Sequence, residues 1–302
     1  MGLLDRSVSL ALPAVPKSIV RHFSKRYIAG PKEEDAFRVA RELAREGAMA
    51  TLDILGEFIE SREDALENTR AYEGLVTRLH EQGLPETNIS VKLTALGLLL
   101  DRQLCLENMR GLMQRVREAD NFVRIDMEDS PCTSATLEIY RTLRAEFPGR
   151  VGIVLQSRLR RTHDDVNQLA QEPTNFRLCK GIYLEPRPIA YTGAELIRRN
   201  FVLVLERMFE LGAYVGIATH DELLVWESLR LIRKFSLTRE QYEFQMLLGV
   251  DEQLRRILID AGHRLRVYVP FGEHWYQYSV RRLRENPQLA GHALKAVFQR
   301  SW

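Results

Sequence analysis

The chain has 302 residues, of which 45% are hydrophobic and 28% charged, a composition that excludes a disordered or fibrous protein. The 43 Lys and Arg nearly balance the 41 Asp and Glu, so no chain-wide positive field exists, and we predict no nucleic-acid partner. The scattered cysteines Cys105, Cys132 and Cys179 favour neither a disulfide framework nor a zinc site. Since no apolar run is long enough to span a bilayer and no signal peptide is recognisable, we expect a cytoplasmic protein.

Residues 1–46 precede the first predicted strand and have a helical pattern. The stretch PKEEDAFRVARELAREG, from Pro31, is amphipathic, and a proline with an acidic first turn is typical of a helix start. We predict a helical N-terminal appendage over 1–46, packed outside a single main domain over 47–302.

Short runs rich in β-branched residues follow, and each is succeeded by an amphipathic helical stretch. Their starts lie roughly 25 to 35 residues apart, the interval of a strand–helix–strand unit. The clear runs are NISVKL from Asn88, FVRIDME from Phe122, VGIVLQ from Val151, FRLCKG from Phe176, AYVGIATH from Ala213, YEFQML from Tyr242 and LRVYVP from Leu265. A weaker run, GAMATLDIL from Gly47, supplies an eighth strand. This alternation fits an open doubly wound sheet or a closed (βα)8 barrel.

Two features favour the barrel. No glycine-rich dinucleotide fingerprint follows any run, which disfavours the open sheet. Most runs also end on polar residues, and in a barrel all strand carboxyl ends open on one face. These residues are Lys92, Asp126, Glu128, Gln156, Lys180, Thr219, His220, Gln245 and Tyr268. We therefore predict a (βα)8 barrel with a site at this mouth. Any one of these groups taken alone is better explained by a strand that turns polar as it leaves the core, and the prediction depends on their repetition.

The segment YVPFGEHWYQYSVRRLREN, beginning at Tyr268, carries the densest pattern. If the part after Gly272 is helical, four side chains share one face: Tyr278, Arg281, Arg282 and Glu285. Adjacent guanidinium groups repel each other unless an anion is present, and their planar forks match a carboxylate or a phosphate. The alternative is a solvated arginine-rich helix face.

Lys92 lies between Val91 and Leu93 in an apolar run. It is either a strand-end side chain that reaches solvent or a buried cation that needs an anionic partner. As a cation it could hold a substrate carboxylate. As a neutral amine it could form a Schiff base, as in a barrel aldolase where Asp126 and Glu128 move protons. A non-catalytic carboxylate-binding module is a third alternative. No metal-ligand motif is present, and we predict no metal.

Taken in order, eight segments resemble the proline dehydrogenases, the flavin-dependent enzymes of proline catabolism, in their monofunctional bacterial form. The segments are LDILGE, SVKLTALG, IDMEDS, VLQSRLRRT, RLCKGIYLEP, ATHDELL, EFQMLLGV and YVPFGEHWYQYSVRRLREN. The resemblance implies a distorted (βα)8 barrel with FAD at the strand carboxyl ends and a C-terminal helix over the mouth. It also implies oxidation of L-proline to 1-pyrroline-5-carboxylate, with hydride passing to flavin N5 and electrons to a membrane quinone.

Carried over position by position, the resemblance implies a role for each site residue. The proline carboxylate would be clamped by Arg281, Arg282 and Lys92. Glu285 would orient the arginines, and Glu57 would form an ion pair with the first of them that closes over bound substrate. The ring would lie against Tyr183, Leu247, Tyr268 and Tyr278. Asp126 and Arg177, the latter beside flavin N5, would be the catalytic pair. The residues that would contact FAD are Met127, Gln156, Arg177, Lys180, Gly181, Ile182, Thr219 and His220.

Departures from the family pattern remove no charged group. Ile182 stands where alanine is usual, Thr94 where serine is common, and Phe271 where tyrosine is common. The aldehyde dehydrogenase and DNA-binding modules of bifunctional members are not recognisable, so we expect a separate pyrroline-5-carboxylate dehydrogenase to take the product. The tail QLAGHALKAVFQRSW, from Gln288, mixes apolar and basic residues. It favours peripheral contact with the inner face of the cell membrane or, alternatively, packing on its own barrel.

Overall fold

The computed structural model describes residues 26–56, 59–170, 172–276 and 278–279. Within them, eight strands close into a barrel in sequence order, and each strand runs parallel to both neighbours. The strands are β1 (Met49–Ile54), β2 (Thr87–Val91), β3 (Val123–Ile125), β4 (Val151–Gln156), β5 (Asn175–Cys179), β6 (Tyr214–Ala218), β7 (Tyr242–Leu247) and β8 (Leu265–Phe271). The predicted (βα)8 barrel is therefore confirmed. Each predicted run overlaps one of these strands, and three strands extend one residue beyond their runs, at Thr87, Asn175 and Phe271.

Helices alternate with the strands on the outside of the barrel. They are α1 (Glu33–Arg45), α2 (Arg62–Glu81), α3 (Arg102–Glu118), α4 (Ser130–Glu146), α5 (Thr162–Leu169), α6 (Ala194–Glu210), α7 (Glu222–Lys234) and α8 (Glu252–Asp260), with a short 3₁₀ helix at Leu93–Leu96. Side-chain caps fix several helix starts. The Ser61 hydroxyl accepts from the Asp64 amide at 3.1 Å, and the Asp101 carboxylate accepts from the Gln103 amide at 2.8 Å.

Helix α1 contains most of the amphipathic stretch predicted from Pro31. It packs against β1 and β8 from outside, and its buried residues Phe37 and Leu43 belong to the same apolar cluster as the strands. The helix thus covers the seam where β8 pairs with β1 and the barrel closes.

The two faces of the barrel wall differ in character. Outward side chains such as Ile89, Ile125 and Phe244 are fully buried against the helices and form the apolar core. Other side chains make contacts between strands that are not neighbours, which is possible only across the interior. Arg177 of β5, for example, donates to Ser90 of β2 at 3.1 Å. Barrel interiors are usually filled by branched apolar side chains, so this hydrogen-bonded interior is a specific feature of the chain.

Glycines in two strands leave room for these polar side chains. A Cβ at Gly216 of β6 would overlap the side-chain amide of Gln245, and one at Gly152 of β4 would overlap the guanidinium of Arg124. The polar interior therefore depends on residues without side chains at these two positions.

Candidate active site

Asp126 lies at the centre of the barrel mouth, directly after β3. Its Oδ1 accepts from Nη1 of Arg177 at 2.7 Å, and its Oδ2 accepts from the Tyr268 hydroxyl at 2.9 Å. The ammonium of Lys92 lies 3.8 Å from Oδ2. The structure thus brings together four predicted site residues: Lys92 and Asp126 directly after β2 and β3, and Arg177 and Tyr268 within β5 and β8.

Lys92 is a buried cation and not a side chain that reaches solvent. Its Nζ lies 2.9 Å from both carboxylate oxygens of Asp53 and donates to the Tyr268 hydroxyl at 3.3 Å. Asp53 is fully buried, and the Tyr72 hydroxyl of α2 donates to it at 3.4 Å. Two neighbouring carboxylates favour the charged ammonium, which disfavours the Schiff-base alternative.

Arg177 is 6% exposed and is held on two of its nitrogens. Nη1 donates to Asp126 and Ser90, while Nε donates to the side-chain oxygen of Gln245. The guanidinium carbon lies 5.5 Å from the centre of the Tyr268 ring, which packs against it. Burial, followed by the charge of Asp126, raises the pKa of Tyr268 well above its ordinary value, so its hydroxyl remains a donor at neutral pH.

Glu128 does not share the surroundings of Asp126. Its carboxylate accepts from the backbone amide of Thr94 at 3.1 Å and from the Thr94 hydroxyl at 2.5 Å. Thr94 keeps the hydroxyl of the serine common in the family, which is the group that this contact uses. Glu128 therefore links the loops after β2 and β3, and the paired-carboxylate role is disfavoured.

Gln156 and Gly181 form a small polar cradle at the ends of β4 and β5. The Gln156 Nε2 donates to the backbone oxygens of Met127 and Glu128 at 3.0 and 2.9 Å. Its Oε1 is buried and has no hydrogen-bond partner among the described residues. Gly181 has a φ of +91°, and a Cβ there would lie 2.5 Å from this oxygen. Only glycine allows the loop to pass so close to the amide.

Lys180 and an arginine from α6 share a single carboxylate. The Lys180 ammonium and Nε of Arg198 lie 3.0 and 2.7 Å from the same oxygen of Asp221. Although burial opposes it, hydrogen bonds from Arg198 and Lys180 hold the pKa of Asp221 below its ordinary value. Two cations against one carboxylate give this part of the rim a positive balance, which suits a phosphate.

Hydrogen bonds hold the two predicted residues of the loop after β6 in place. The Thr219 hydroxyl accepts from the Asp221 amide at 3.1 Å. His220 accepts on Nε2 from the Leu247 amide at 2.8 Å, a contact that needs the imidazole unprotonated on that nitrogen. Both residues are thus fixed near the carboxyl ends of β6 and β7.

Some of the remaining predicted residues have contacts of their own, and the others lie outside the described residues. The Tyr183 backbone oxygen accepts from the Arg158 guanidinium, and Ile182 is 40% exposed beside it. Tyr278 is buried against Ile28 and Leu55. Four predicted residues and two segments fall outside the described residues: Glu57, Arg281, Arg282, Glu285, the rest of the predicted C-terminal helix, and the tail from Gln288.

Sequence patterns did not reveal the site partners Asp53 and Arg198. Asp53 had one available signal, a single carboxylate near the end of the otherwise uncharged run MATLDI. In the described part of the chain, no group of three or more His, Cys, Asp or Glu is placed to hold a metal ion. None of the helices formed by those residues combines the length and apolar character needed to cross a bilayer.

Comparisons with known proteins show the family of this chain. The family described as proline dehydrogenase matches residues 36–293. The chain is 34% identical over 282 residues to a proline dehydrogenase of Deinococcus radiodurans, covering 92% of this chain and 91% of that protein. It is 32% identical over 277 residues to proline dehydrogenase 1 of Bacillus subtilis (strain 168), with the same coverage.

Solved structures show the same architecture. The chain is similar to proline utilization A (PutA) from Bdellovibrio bacteriovorus, inactivated by N-propargylglycine, with a TM-score of 0.84 and 27% identity over 88% of this chain. It spans 33% of that longer polypeptide. From its barrel, its mouth and these matches, the chain belongs to the proline dehydrogenase family.

Proposed function

We propose that this chain oxidises L-proline to 1-pyrroline-5-carboxylate, with FAD as its cofactor. The observation that carries the proposal is the cluster of Lys92, Asp126, Arg177 and Tyr268 at the mouth of the barrel. Such a cluster presents charged groups and an aromatic wall to a small cyclic amino acid, at the face where barrel enzymes carry their active sites.

The residues present fit FAD. The unpartnered Oε1 of Gln156 is a buried acceptor that needs a donor, and the imide edge of a flavin supplies one. Lys180 and Arg198, which share one carboxylate, suit the diphosphate. When bound, FAD accepts the two electrons that leave the proline ring. Gln156 and Lys180 would hold it, with Met127, Gly181, Ile182, Thr219 and His220 around it.

The charges at the mouth support a role for the two C-terminal arginines in substrate binding. Lys92 and Arg177 are offset by Asp53 and Asp126, so this group of four has no excess positive charge. A substrate carboxylate therefore needs further cations, and Arg281 and Arg282 are the expected ones.

Asp126 and Arg177 act on different parts of the reaction. The side chain of Asp126 is 13% exposed, whereas that of Asp53 is fully buried. Asp126 is therefore the carboxylate of the pair that faces the ammonium of proline from the mouth. The guanidinium of Arg177 favours negative charge on a group bound beside it, and a fixed cation of this kind costs no reorganisation during the reaction.

A visible spectrum of the purified protein tests the proposal. We expect a bound flavin whose absorbance bleaches on anaerobic addition of L-proline but not of L-alanine. Protein without flavin, or a bound flavin that L-proline does not reduce, would rule the proposal out. Trapping of a carbonyl substrate on Lys92 by borohydride would instead favour the aldolase alternative.

Three further expectations stay predictions from the resemblance. They are electron transfer to a quinone, peripheral contact with a membrane, and release of the product to a separate pyrroline-5-carboxylate dehydrogenase. Turnover of L-proline with a soluble quinone analogue, compared with turnover in liposomes that contain the quinone, tests the first two together.

A further inference from the structure

A chain of hydrogen bonds runs inside the barrel from the mouth to the amino ends of the strands. The Nε of Arg177 donates to Oε1 of Gln245, and Nε2 of Gln245 donates to Oε1 of Glu243 at 2.5 Å. Nε of Arg266 donates to the same Glu243 oxygen at 2.9 Å. All four side chains are buried, and hydrogen bonds in such surroundings are stronger than in bulk water.

Several contacts fix the end of this hydrogen-bond chain that lies at the amino ends of the strands. Arg266 also donates to the backbone oxygens of Ala50 and Glu86, at 2.7 and 2.8 Å. Glu243 accepts in addition from the Tyr214 hydroxyl at 2.9 Å. Glu243 and Arg266 line a polar cavity of about 260 Å³ at the amino ends of the strands, which reduces the cost of burying this ion pair.

The amide of Gln245 can adopt only one orientation. Although burial opposes it, the charge of Arg266 lowers the pKa of Glu243 to about 2, so Glu243 is a carboxylate that only accepts hydrogen bonds. The NH₂ of Gln245 must face it, and the oxygen must then face Arg177. Gly216 leaves the space that this amide occupies.

This arrangement selects which nitrogen of Arg177 is available to a ligand. Nε is taken by Gln245, and Nη1 is taken by Ser90 and Asp126. Among the described residues, no acceptor is bonded to Nη2. If Gln245 offered a donor instead of an acceptor, Nε would be repelled and the guanidinium would turn about its terminal bonds.

We infer that Gln245, supported by Glu243 and Arg266, is the positioning residue that presents Nη2 of Arg177 to the mouth. The inference rests on the proposed function for its consequence, because Arg177 is the cation expected beside the flavin. The fixed cation then stabilises negative charge on the cofactor, and its displacement lowers the cofactor's reduction potential.

The variant Gln245→Met tests this inference, since it removes both hydrogen bonds at similar volume. We expect FAD to remain bound, its reduction potential to fall in the direction given by Arg177→Met, and kcat/KM for L-proline to fall about tenfold, the loss expected for one charge-assisted hydrogen bond. In the Arg177→Met background, Gln245→Met should shift the potential no further, because the two residues act through one contact.

Tyr214→Phe is the matched control, since it removes a hydrogen bond from Glu243 and leaves the contact between Gln245 and Arg177 intact. We expect this variant to lose stability without a shift in potential. An unchanged potential in Gln245→Met, or shifts that add fully in the double variant, would overturn the inference.

A readout without flavin separates this inference from the proposed function. In ¹⁵N spectra of the flavin-free protein, the Nε–H of Arg177 should exchange slowly in the wild type and in Tyr214→Phe, and rapidly in Gln245→Met. Equal exchange in all three proteins would contradict the positioning role. The proposed function fails separately, if L-proline does not reduce the bound flavin of the wild type.

Discussion

Lys92 and Asp53 form an ion pair inside the barrel, in which Nζ lies 2.9 Å from each carboxylate oxygen. The pair is placed below Asp126, which lies 3.8 Å from the same ammonium and is the more exposed of the two carboxylates. Asp53 thus holds a cation at the mouth without contacting solvent itself. Burying two charges is costly, so the pair is more readily explained by the site it supports than by stability.

Asp53→Asn should destabilise the protein, because the buried ammonium of Lys92 loses its nearer carboxylate at 2.9 Å and keeps that of Asp126 at 3.8 Å. Loss of one partner of a buried pair typically costs about 3–5 kcal/mol, which urea unfolding would measure as a lower midpoint. Glu138→Gln serves as the control, since its partner Arg102 forms an exposed pair. Equal urea midpoints for the two variants would show that the buried pair contributes no more to stability than the exposed pair.

Gly181→Ala should reduce the FAD content of the purified protein. The substitution strains a residue at a φ of +91° and places a Cβ 2.5 Å from Oε1 of Gln156, the acceptor assigned to the flavin. Gly149→Ala is a matched control, because Gly149 has a φ of +76° and a Cβ there meets no atom within 4 Å. Both variants carry backbone strain, but only Gly181→Ala disturbs the cradle. A similar flavin-to-protein ratio in the two variants would contradict the assignment of Gln156.

The barrel could be predicted from the sequence because each strand is encoded by a pattern of neighbouring residues. A β-branched run that ends on a polar residue is visible without knowledge of its neighbours, and Lys92, Asp126 and Tyr268 were recognised in this way. Their convergence followed from the fold alone, since parallel strands in a barrel end on the same face.

The partners of those residues could not be predicted, because the contacts join strands far apart in the chain. Gln245 was visible as a polar residue near a strand end, but its bond to Arg177 spans 68 positions. Asp53 looked like an ordinary polar residue near the end of a strand until Lys92 was placed against it. Asp126 and Glu128 are two positions apart and were considered as a pair. In the structure, however, the carboxylate of Glu128 accepts a hydrogen bond from the Thr94 hydroxyl.

Arg281→Met and Arg282→Met should each raise the KM for L-proline at least tenfold while FAD remains bound. The expectation follows from the charge balance at the mouth, where Lys92 is already offset by Asp53, and from the strength of charge-assisted hydrogen bonds. Steady-state kinetics with a dye acceptor gives the KM, and the flavin spectrum gives the FAD content. Unchanged KM values in both variants would show that the carboxylate is bound elsewhere.

Glu243 should make the stability of the protein depend on acid pH. Its pKa is about 2 in the folded protein against an ordinary value of 4.5, because the charges and hydrogen bonds of Arg266, Gln245 and Arg124 together outweigh the effect of burial. A carboxyl with a lowered folded-state pKa adds stability above its unfolded pKa and loses it as the pH falls through the folded pKa. The free energy of unfolding should therefore decline from about pH 5 towards pH 2.

In Glu243→Gln this contribution is missing, so the variant should be less stable than the wild type at pH 7 and should lose less on acidification. Urea unfolding at a series of pH values measures both curves. In this variant Arg266 also loses its only carboxylate partner among the described residues. This lowers the free energy of unfolding further, by an amount that does not vary with pH in this range. Parallel curves for the two proteins between pH 5 and pH 3 would mean that Glu243 titrates normally in the folded state, and that the orientation of the Gln245 amide is not fixed by a permanent charge.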